Sequence, residues 1–301
     1  MIRLDNISKT FRDGDTQVQA LKNISFEVNK GELVAIIGKS GSGKSTLLNI
    51  LGLLDKQTDG DYYIDGKKVS SIPEREKAKL RNSHIGFVMQ DFALVEKYTV
   101  KQNINIPLIY TDKPINKEKA INDVLKSVGL SDKTNTPAYK LSGGQKRRVA
   151  VAGVMAMKPR ILVLDEPAAG LDPEGRDEIL SEVKDYHKKT GTTVLLVSHS
   201  MEDIAKYANR VLVMSNKKIA MYDTVENVFA RAPELLELGL SVPQVTKIFL
   251  KLREMGVDVP ADVYTVPYAV KMILEAKKRR DAGESLILPR KEGVKGGVSE
   301  C

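Results

Sequence analysis

A glycine-rich stretch near the N-terminus has the residue types and the spacing that cradle phosphate groups. Its sequence, GKSGSGKS, fits the pattern G-x-x-x-x-G-K followed by Ser or Thr, after an apolar run and before a helical pattern. Glycines let backbone N–H groups approach phosphate oxygens, and the helix N-terminus adds positive potential. We expect Lys44 to reach the β- and γ-phosphates of a nucleotide and Ser45 to ligate Mg²⁺. The residues predicted to bind the nucleotide here are Gly38, Lys39, Ser40, Gly41, Ser42, Gly43, Lys44, Ser45 and Thr46.

Two adjacent carboxylates follow a second apolar run. Asp165 ends the run ILVLD, and Glu166 comes next. A carboxylate at the end of a buried strand is costly unless it is compensated, and Mg²⁺ would compensate it. We therefore expect Asp165 to help hold the metal and Glu166 to polarise the attacking water as a general base. The alternative is a pair of solvated carboxylates at a strand exit, which the phosphate loop upstream disfavours.

Three further side chains are candidates for the same nucleotide site. His199 follows the run TTVLLVS and, like Glu166, lies where a predicted strand ends, so it could contact the γ-phosphate; an ordinary loop residue is the alternative. Gln90 follows the strand-like run HIGFVM and could take a Mg²⁺ or water position, or be a surface glutamine. Phe11 could stack on an adenine, or could be a core aromatic.

A second turn suited to an anion occurs about a hundred residues after the first, in the sequence LSGGQ. Ser142, Gly143 and Gly144 would cap a helix that runs from about Gln145 to Met157, and the helix N-terminus would attract a second anion. The turn lies in a predicted helical insert, away from the phosphate loop of its own chain. Two chains arranged head to tail would resolve this, because each LSGGQ would close on the nucleotide of the other, with AAGLD at the seam. The sequence therefore predicts a dimer around two MgATP.

These residues require a sheet that brings several strand ends to one edge. Short runs rich in Val, Ile and Leu at 33–38, 160–165 and 192–198 alternate with helical patterns, which predicts an α/β fold of the P-loop NTPase class with a parallel sheet. The N-terminal runs IRLDNISKTF and ALKNISFEV alternate apolar and polar residues, which predicts an antiparallel β subdomain with one solvated face.

The remaining organisation follows from changes in pattern along the chain. We predict an ATPase domain over residues 1–228, with an inserted helical subdomain at about 91–160. Amphipathic helical stretches predict a small C-terminal helical domain over 229–290, and the tail at 291–301 is predicted to be flexible.

The composition excludes several other classes of protein. The chain has 301 residues, a formal net charge of +8, no Trp, 5% aromatic residues and a single cysteine, Cys301. So few aromatic residues argue against a base-stacking platform, and no nucleic-acid partner is expected. The longest apolar runs are far shorter than the roughly 20 residues that span a bilayer, so membrane contact is expected to go through a partner.

Taken together and in this order, GKSGSGKS, Gln90, LSGGQ, ILVLDE, AAGLD and His199 resemble the ATP-binding-cassette (ABC) ATPases, over about residues 1–225. The resemblance implies hydrolysis of MgATP coupled to movement of another component, most often a transmembrane permease. It also implies a second ATPase chain as dimer partner, and a peripheral position at the cytoplasmic face of the cell membrane.

The resemblance to subfamilies divides along the chain. Residues 1 to about 135 resemble the ATPases of lipoprotein, macrolide and antimicrobial-peptide exporters. Residues from about 136 to 290 resemble the second ATPase of energy-coupling-factor (ECF) vitamin and metal importers, whose C-terminal domain is of a dimerisation type. Exporter ATPases usually carry an arginine where Gly153 stands.

We therefore expect the energy-coupling ATPase subunit of an ABC transporter, either as a homodimer or as half of a heterodimer. An ATPase of the exporter type is the alternative among transporters. A non-transport cassette acting on ribosomes or DNA is the alternative from another class. Such proteins usually carry two cassettes in one chain or a long coiled coil, and the sequence shows neither.

Overall fold

The computed structural model describes residues 1–14, 16–89, 91–111 and 114–283. The predicted flexible tail at 291–301 lies outside these ranges. The strands are β1 (Ile2–Asp13), β2 (Thr16–Val28), β3 (Leu33–Gly38), β4 (Asp59–Ile64), β5 (Lys67–Lys68), β6 (Ile85–Val88), β7 (Ile161–Asp165), β8 (Thr193–Val197), β9 (Arg210–Ser215) and β10 (Lys218–Thr224).

Helices fill most of the chain between and after these strands. None of them, within the described ranges, is long and apolar enough to cross a membrane. They are α1 (Lys44–Leu51), α2 (Glu74–His84), α3 (Val100–Ile109), α4 (Lys117–Ser127), α5 (Gly143–Ala156), α6 (Pro173–Thr190), α7 (Met201–Tyr207), α8 (Val225–Ala230), α9 (Ala232–Glu237), α10 (Gln244–Glu254) and α11 (Val266–Asp281).

The N-terminal strands form the antiparallel sheet that the alternating pattern predicts, in the order β2-β1-β4-β5. Along β1, Ile2 and Leu4 are buried, because alternate side chains of a strand point to the same face. A register irregularity between Leu4 and Ile7 brings Ile7 to the buried face as well. At the far end of the β1–β2 ladder, Phe11 pairs with Val18, and both side chains are exposed. One end of this sheet, with Ile2 and Leu4, therefore packs on an apolar core, and the other end presents the Phe11 ring to solvent.

The central sheet has the order β10-β9-β3-β8-β7-β6. Strands β9, β3, β8, β7 and β6 are parallel, and only β10 runs against its neighbour. All six residues of β3 are buried, as expected for a parallel strand that is covered on both faces. The parallel sheet and the strand runs predicted for it are confirmed, with β7 and β8 beginning one residue later than predicted.

The two faces of the central sheet face different layers. Leu162, Leu164 and Leu196 pack in one apolar cluster with residues of α3, α4 and α5. Val163, Leu195 and Val197 pack in a second cluster with α1 and the antiparallel sheet. Successive strand residues thus alternate between two cores, which fixes the register of every strand and holds the strand ends at one edge.

Two apolar patterns in the sequence extend beyond the helices that they form. The pattern that begins at Lys44 reaches Leu54, but α1 ends at Leu51, because Gly52 follows and Leu53 has a φ of 56°. The amphipathic run near residue 240 is also broken, because Gly239 has a φ of 68° and α10 begins only after Pro243. At Gly239, glycine adopts the positive φ that ends a helix, and Pro243 favours the start of the next one.

The chain divides into two compact units, of which the first is Met1–Val228 and the second begins at Phe229. In the second unit, Phe249, Val259, Val263 and Ala269 form an apolar core. The buried hydroxyl of Thr246 donates a hydrogen bond of 2.7 Å to the Val263 carbonyl oxygen, which ties α10 to the segment before α11.

Candidate functional site

The phosphate loop links the end of β3 to the start of α1. Gly43, the residue before the helix, has a φ of 102°. A Cβ atom at Gly43 would lie 2.6 Å from the Ala20 carbonyl oxygen and 2.8 Å from Leu21 Cδ2, so the position needs glycine for space as well as for conformation. The loop therefore presses its backbone against β2, and its N–H groups lie at the positive end of α1.

Lys44 is buried within this loop. Its Nζ donates hydrogen bonds to the Gly38 carbonyl oxygen at 2.8 Å and to the Lys39 carbonyl oxygen at 3.0 Å. Burial lowers the pKa of the Lys44 ammonium, while the charges of Glu166 and Asp165 act in the opposite direction. The ammonium is thus held in a fixed position, close enough to Asp165, the predicted metal ligand, and to Glu166, the predicted base, for their charges to act on it.

The two carboxylates lie at the carboxyl end of β7. Glu166 has a φ of 52°, which is strained for a residue with a side chain, and its N–H donates to the Val197 carbonyl oxygen at 3.1 Å. Its Oε1 lies 2.7 Å from Nε2 of His199. Burial raises the pKa of Asp165, and the neighbouring charge of Glu166 raises it further. A positively charged ligand at this edge of the sheet would favour the ionised form of Asp165 and so would oppose both of these effects on its pKa.

A single open cavity of about 470 Å³ collects most of the predicted nucleotide-site residues. Phe11 lies on its wall and is 44% exposed, so this ring is not a core aromatic. The Lys9 ammonium lies 4.7 Å from the centre of the ring. The lining residues are Phe11, Val18, Gln19, Ala20, Ser40, Gly41, Gly43, Lys44, Ser45, Thr46, Asp165, Glu166, Val197, His199 and Lys217.

The oxygen donors in this cavity suit a hard cation. Ser45 offers a hydroxyl and Asp165 a carboxylate, the ligand types that Mg²⁺ prefers. Among the described residues, no group of three or more His, Cys, Asp or Glu side chains could hold a metal by itself. A Mg²⁺ ion at Ser45 and Asp165 would therefore complete its coordination with nucleotide phosphates and water, as is usual for this ion. Gln90, the third predicted ligand, lies outside the described residues.

The LSGGQ turn forms the N-terminus of α5. The Ser142 hydroxyl accepts a hydrogen bond from the Gln145 N–H at 3.2 Å, and the Gln145 side-chain oxygen accepts one from the Ser142 N–H at 3.1 Å. This reciprocal pair is a capping box. The helix begins at Gly143, two residues before the predicted start at Gln145, so both glycines belong to its first turn.

The LSGGQ turn opens onto a cavity of its own, with a volume of about 520 Å³. Ser142, Gly144 and Arg148 line it, together with Gly170, Leu171 and Asp172 from the AAGLD sequence. Among the residues that the structure describes, none lines both this cavity and the one that holds the phosphate loop. The structure thus brings Phe11, the phosphate loop, Asp165, Glu166 and His199 together and leaves Ser142, Gly144 and the AAGLD sequence at a separate cavity.

Sequence reasoning missed two features of the site. Lys217 lines the nucleotide cavity from the β9–β10 turn, where Asn216 and Lys217 have φ values of 48° and 65°. The sequence signal was an Asn followed by a polar residue between the apolar run RVLVMS and a second strand, which is typical of a hairpin. Arg147 is also buried beside the site, and nothing in the local sequence marks it.

Comparisons with known proteins agree with this geometry. A family model described as ABC transporter matches residues 21–169. The energy-coupling factor transporter ATP-binding protein EcfA2 of Caldanaerobacter subterraneus subsp. tengcongensis is 39% identical over 279 residues, which cover 91% of this chain and 96% of that protein.

Two solved structures are also similar to this chain. A dimeric post-hydrolysis state of the ATP-binding cassette MJ0796, bound to ADP and Pi, matches with a TM-score of 0.70 and 34% identity, covering 75% of this chain and 99% of that one. The structure of cbiO1 from Clostridium perfringens, part of the ABC transporter complex cbiONQ, matches with a TM-score of 0.69 and 30% identity. The match covers 84% of this chain and 96% of that one.

These relatives also bear on the alternatives. Because the alignment with EcfA2 covers 91% of the chain, it runs through most of the first 135 residues as well as the later ones. The exporter alternative is therefore not better supported than the energy-coupling factor type, and a cassette that acts on ribosomes or DNA gains no support. The expected fold class and ATP binding are confirmed. The chain belongs to the ABC transporter family, as one of its ATP-hydrolysing, energy-coupling subunits.

Proposed function

We propose that the chain hydrolyses MgATP in two composite sites, which it forms head to tail with a second ATPase chain. The observation that carries this proposal is the separation of the two cavities, one with the phosphate loop and Glu166 and one with Ser142. Each cavity is open and has only part of the groups that a γ-phosphate needs. Two-fold symmetry would place the Ser142 cavity of one chain over the phosphate loop of the other, in either a homodimer or a heterodimer.

The proposed roles follow from the contacts. Lys44 and the backbone N–H groups of the loop bind the β- and γ-phosphates, and Phe11 stacks on the base. Ser45 and Asp165, with Gln90, would hold Mg²⁺, which would neutralise charge on the phosphates. Glu166 takes a proton from the attacking water.

His199 is proposed to hold the Glu166 carboxylate in place and to contact the γ-phosphate. Its Nε2 is 2.7 Å from Glu166 Oε1, and most of the imidazole is exposed to the cavity. A histidine so placed can donate to the carboxylate or, after a rotation of its side chain, to a phosphate oxygen. Loss of this side chain should therefore lower turnover more than nucleotide binding.

A mixing experiment tests the head-to-tail arrangement. Ser142→Arg places a bulky cation at the second cavity, and Lys44→Ala removes the phosphate ligand, so each variant alone should be inactive. In a mixed dimer, one of the two composite sites combines an intact loop with an intact Ser142. We therefore expect the mixed dimer to regain up to about half of the ATPase activity of the parental dimer. No recovery in mixed dimers, isolated with two different affinity tags, would contradict the arrangement.

A control distinguishes this recovery from simple stabilisation by a partner chain. A chain that carries both Ser142→Arg and Lys44→Ala should inactivate a parental chain when only their mixed dimers are isolated from a mixture, because neither composite site then has both parts. Activity in those mixed dimers would mean that one chain alone supplies both parts of a site.

We further propose that a transmembrane component docks on the first unit, which would place the chain at the cytoplasmic face of a membrane. A mainly apolar cavity of about 230 Å³ lies between the segments 87–89 and 92–94 and the helices α3 and α5. We call it the docking groove. Its walls include Phe87, Met89, Phe92, Ile106, Pro107, Ala150 and Gly153.

Gly153 keeps the floor of the docking groove open. A Cβ atom there would lie 3.7 Å from Ile104 Cα and 3.9 Å from Pro107 Cγ, which are ordinary contacts. A long side chain at this position would instead project into the cavity. The glycine therefore suits an occupant such as the short helix of a permease, and this groove differs from that of exporter ATPases with arginine here.

Pull-down tests the docking proposal. Gly153→Arg should abolish co-purification with the transmembrane component of an energy-coupling factor transporter, while the affinity of the isolated chain for MgATP stays within about twofold, since Gly153 does not line the nucleotide cavity. Ser71→Arg, an added cation on an exposed residue away from the groove, is the matched control. Undiminished co-purification of Gly153→Arg would exclude the groove as the docking site.

The second unit, over residues 229–290, is proposed to support dimerisation. This proposal rests on the energy-coupling factor relatives, which match nearly the whole chain. A chain that ends after residue 228 should still bind MgATP but should dimerise more weakly, as measured by sedimentation.

A further inference from the structure

Three consecutive cations follow the LSGGQ turn, and each contacts a different part of the first unit. Lys146 Nζ lies 2.8 Å from Glu96 Oε1, in the segment before α3. Arg148 Nη1 lies 3.1 Å from Glu178 Oε2, on α6. Both are partly solvated ion pairs, whose contribution to stability is small. Arg147 lies between them and differs from both, since only 5% of its surface is exposed.

Arg147 connects two segments that are far apart in the sequence. The carbon at the centre of its guanidinium lies 4.2 Å from the centre of the Phe92 ring. Its Nη1 donates a hydrogen bond to the Ala169 carbonyl oxygen. A guanidinium suits this double role, because its flat face stacks on an aromatic ring while its edge donates hydrogen bonds.

Burial of the Arg147 guanidinium lowers the stability of the fold. Arg147 Nε is buried and has no hydrogen-bond partner in the described structure. Burial lowers the pKa of Arg147, and the charge of Glu166 opposes this. No carboxylate pairs with the guanidinium within salt-bridge distance among the described residues. A buried cation that is only partly compensated costs stability, which suggests a role other than stabilising the fold.

The two contacts of Arg147 lie at the two places where the proposed function requires coupling. Phe92 lines the docking groove, and it has a φ of 55°, followed by Ala93 with a φ of 45°. Two successive residues with strained backbones can exchange their conformation for another when an occupant contacts them. Ala169, at the other end, donates its N–H to the Glu166 carbonyl oxygen at 3.2 Å. Arg147 thus lies between a wall of the groove and the turn that begins with the proposed general base.

We propose that Arg147 is a positioning residue that transmits occupation of the docking groove to Glu166, through its contacts with the Phe92 ring and the Ala169 carbonyl oxygen. This rests on the proposed function, in which the groove holds a partner and Glu166 activates water. When an occupant moves the Phe92 ring, the guanidinium that stacks on it moves as well. The hydrogen bond to Ala169 carries that displacement to the turn of Glu166.

The expected kinetic effect is on turnover rather than on nucleotide binding. Arg147 does not line the nucleotide cavity, so the contacts of Lys44 with phosphate should persist without it. A displaced general base lowers the rate of the chemical step, and a shift of about 1 Å can lower it by about 100-fold. A residue that only stabilised the fold would instead lower the melting temperature without this selective effect on kcat.

A double-mutant cycle on the full-length chain tests the connection. Arg147→Met keeps the length of the side chain without charge or donors, and should lower kcat by about 10- to 100-fold while KM for MgATP changes less than about threefold. Arg147→Lys keeps a hydrogen-bond donor but not the flat face of the guanidinium, so its kcat should fall less than that of Arg147→Met. Phe92→Leu should lower kcat in the parent and have no further effect in the Arg147→Met background.

The control is Arg160→Gln, which removes a cation from an exposed ion pair with Asp65. Arg160 directly precedes β7, at the opposite end of that strand from Asp165 and Glu166. It should leave kcat unchanged. If the effects of Phe92→Leu and Arg147→Met simply multiply, or if kcat of Arg147→Met is that of the parent, the connection does not exist.

A chemical occupant of the groove tests the transmission itself. Ile106 lines the groove from α3 and does not line the nucleotide cavity. With Cys301 replaced by serine, Ile106→Cys provides a single thiol that N-phenylmaleimide can modify. Modification should change kcat by about threefold or more in the parent, and by less than about 1.5-fold in Arg147→Met. An equal change in both backgrounds would overturn the proposal.

The outcomes separate this proposal from the proposed function. If Glu166→Gln keeps the parental rate, or if Gly153→Arg still binds the transmembrane component, the proposed function fails, whatever Arg147 does. If those two variants behave as expected and the cycle shows no coupling, only the role of Arg147 fails.

Discussion

Replacing Glu166 by glutamine tests the proposed chemistry with the smallest change of shape. Glutamine has the same length as glutamate, and its amide can remain within hydrogen-bond distance of His199, whose Nε2 now lies 2.7 Å from Glu166 Oε1. It cannot accept a proton from water at neutral pH. The contacts of Lys44 with the Gly38 and Lys39 carbonyl oxygens do not involve Glu166 and should persist.

The size of the effect follows from these separate roles. Loss of a general base lowers a rate by about 10²–10⁴-fold, which corresponds to about 3–5 kcal/mol in the barrier. Affinity for MgATP should change by less than about tenfold, because the phosphate ligands remain. The pKa of Asp165 should move down toward its ordinary range, since the charge of Glu166 is one of the causes that raise it.

Single-turnover hydrolysis, equilibrium nucleotide binding and sedimentation together provide the assay. We expect slow hydrolysis, near-parental binding and an accumulated ATP-bound dimer, because ATP joins the two chains and is no longer cleaved. Glu74→Gln is the control, since Glu74 lies on α2 in an exposed ion pair with Arg81. Hydrolysis at the parental rate would refute the assignment of the base, and a loss of binding equal to the loss of rate would refute the separation of roles.

Three further predictions concern other parts of the first unit. Phe11→Ala should raise KM for MgATP by about 5- to 150-fold with little change in kcat, because stacking on a base contributes about 1–3 kcal/mol to binding. Gly43→Ala should abolish nucleotide binding, since its Cβ would lie 2.6 Å from the Ala20 carbonyl oxygen; Gly66→Ala, which has a φ of 75° but no neighbour within 4 Å, controls for the backbone conformation and should keep nucleotide binding. Burial raises the pKa of Glu182 to about 7 from its ordinary 4.5, so the folded chain retains this proton over a range where the unfolded chain loses it, and stability falls as the pH rises from about 4.5 to 7. Glu182→Gln should remove that fall and raise stability at pH 7.5 by about 1–3 kcal/mol, allowing for partial solvent screening, with no difference from the parent at pH 4 in thermal melts.

Much of the nucleotide cavity could be predicted from the sequence, because its parts follow from local rules. Strands β3, β7 and β8 are apolar runs, and parallel strands end at the same edge of a sheet. Residues just after these strands, such as Glu166 and His199, must then lie close together. The strained φ of Glu166 was not predictable, because it depends on the hydrogen bond from its N–H to Val197 on the neighbouring strand.

The features that sequence reasoning missed depend on contacts between distant segments. Arg147 belongs to a basic run that would suit a solvated helix face, yet the packing of Phe92 and Ala169 around it makes it one of the few buried cations of the described chain. The early end of α1 reflects Gly52 and Leu53, whose conformation a periodic apolar pattern does not reveal. In both cases tertiary contacts or backbone conformation, rather than side-chain periodicity, decide the structure.

The capping box of α5 is compatible with an anion at the same helix end. The Ser142 hydroxyl accepts the Gln145 N–H with an oxygen lone pair, and the same hydroxyl can donate its hydrogen to a phosphate oxygen. Gly143 and Gly144 occupy the first two helical positions, where backbone N–H groups have no partner within the helix. A γ-phosphate from a second chain would therefore bind a turn whose conformation is already fixed, and little ordering entropy would oppose it. Because the cap fixes the turn in the absence of nucleotide, closure of the dimer would depend mainly on whether ATP is present in the facing phosphate loop.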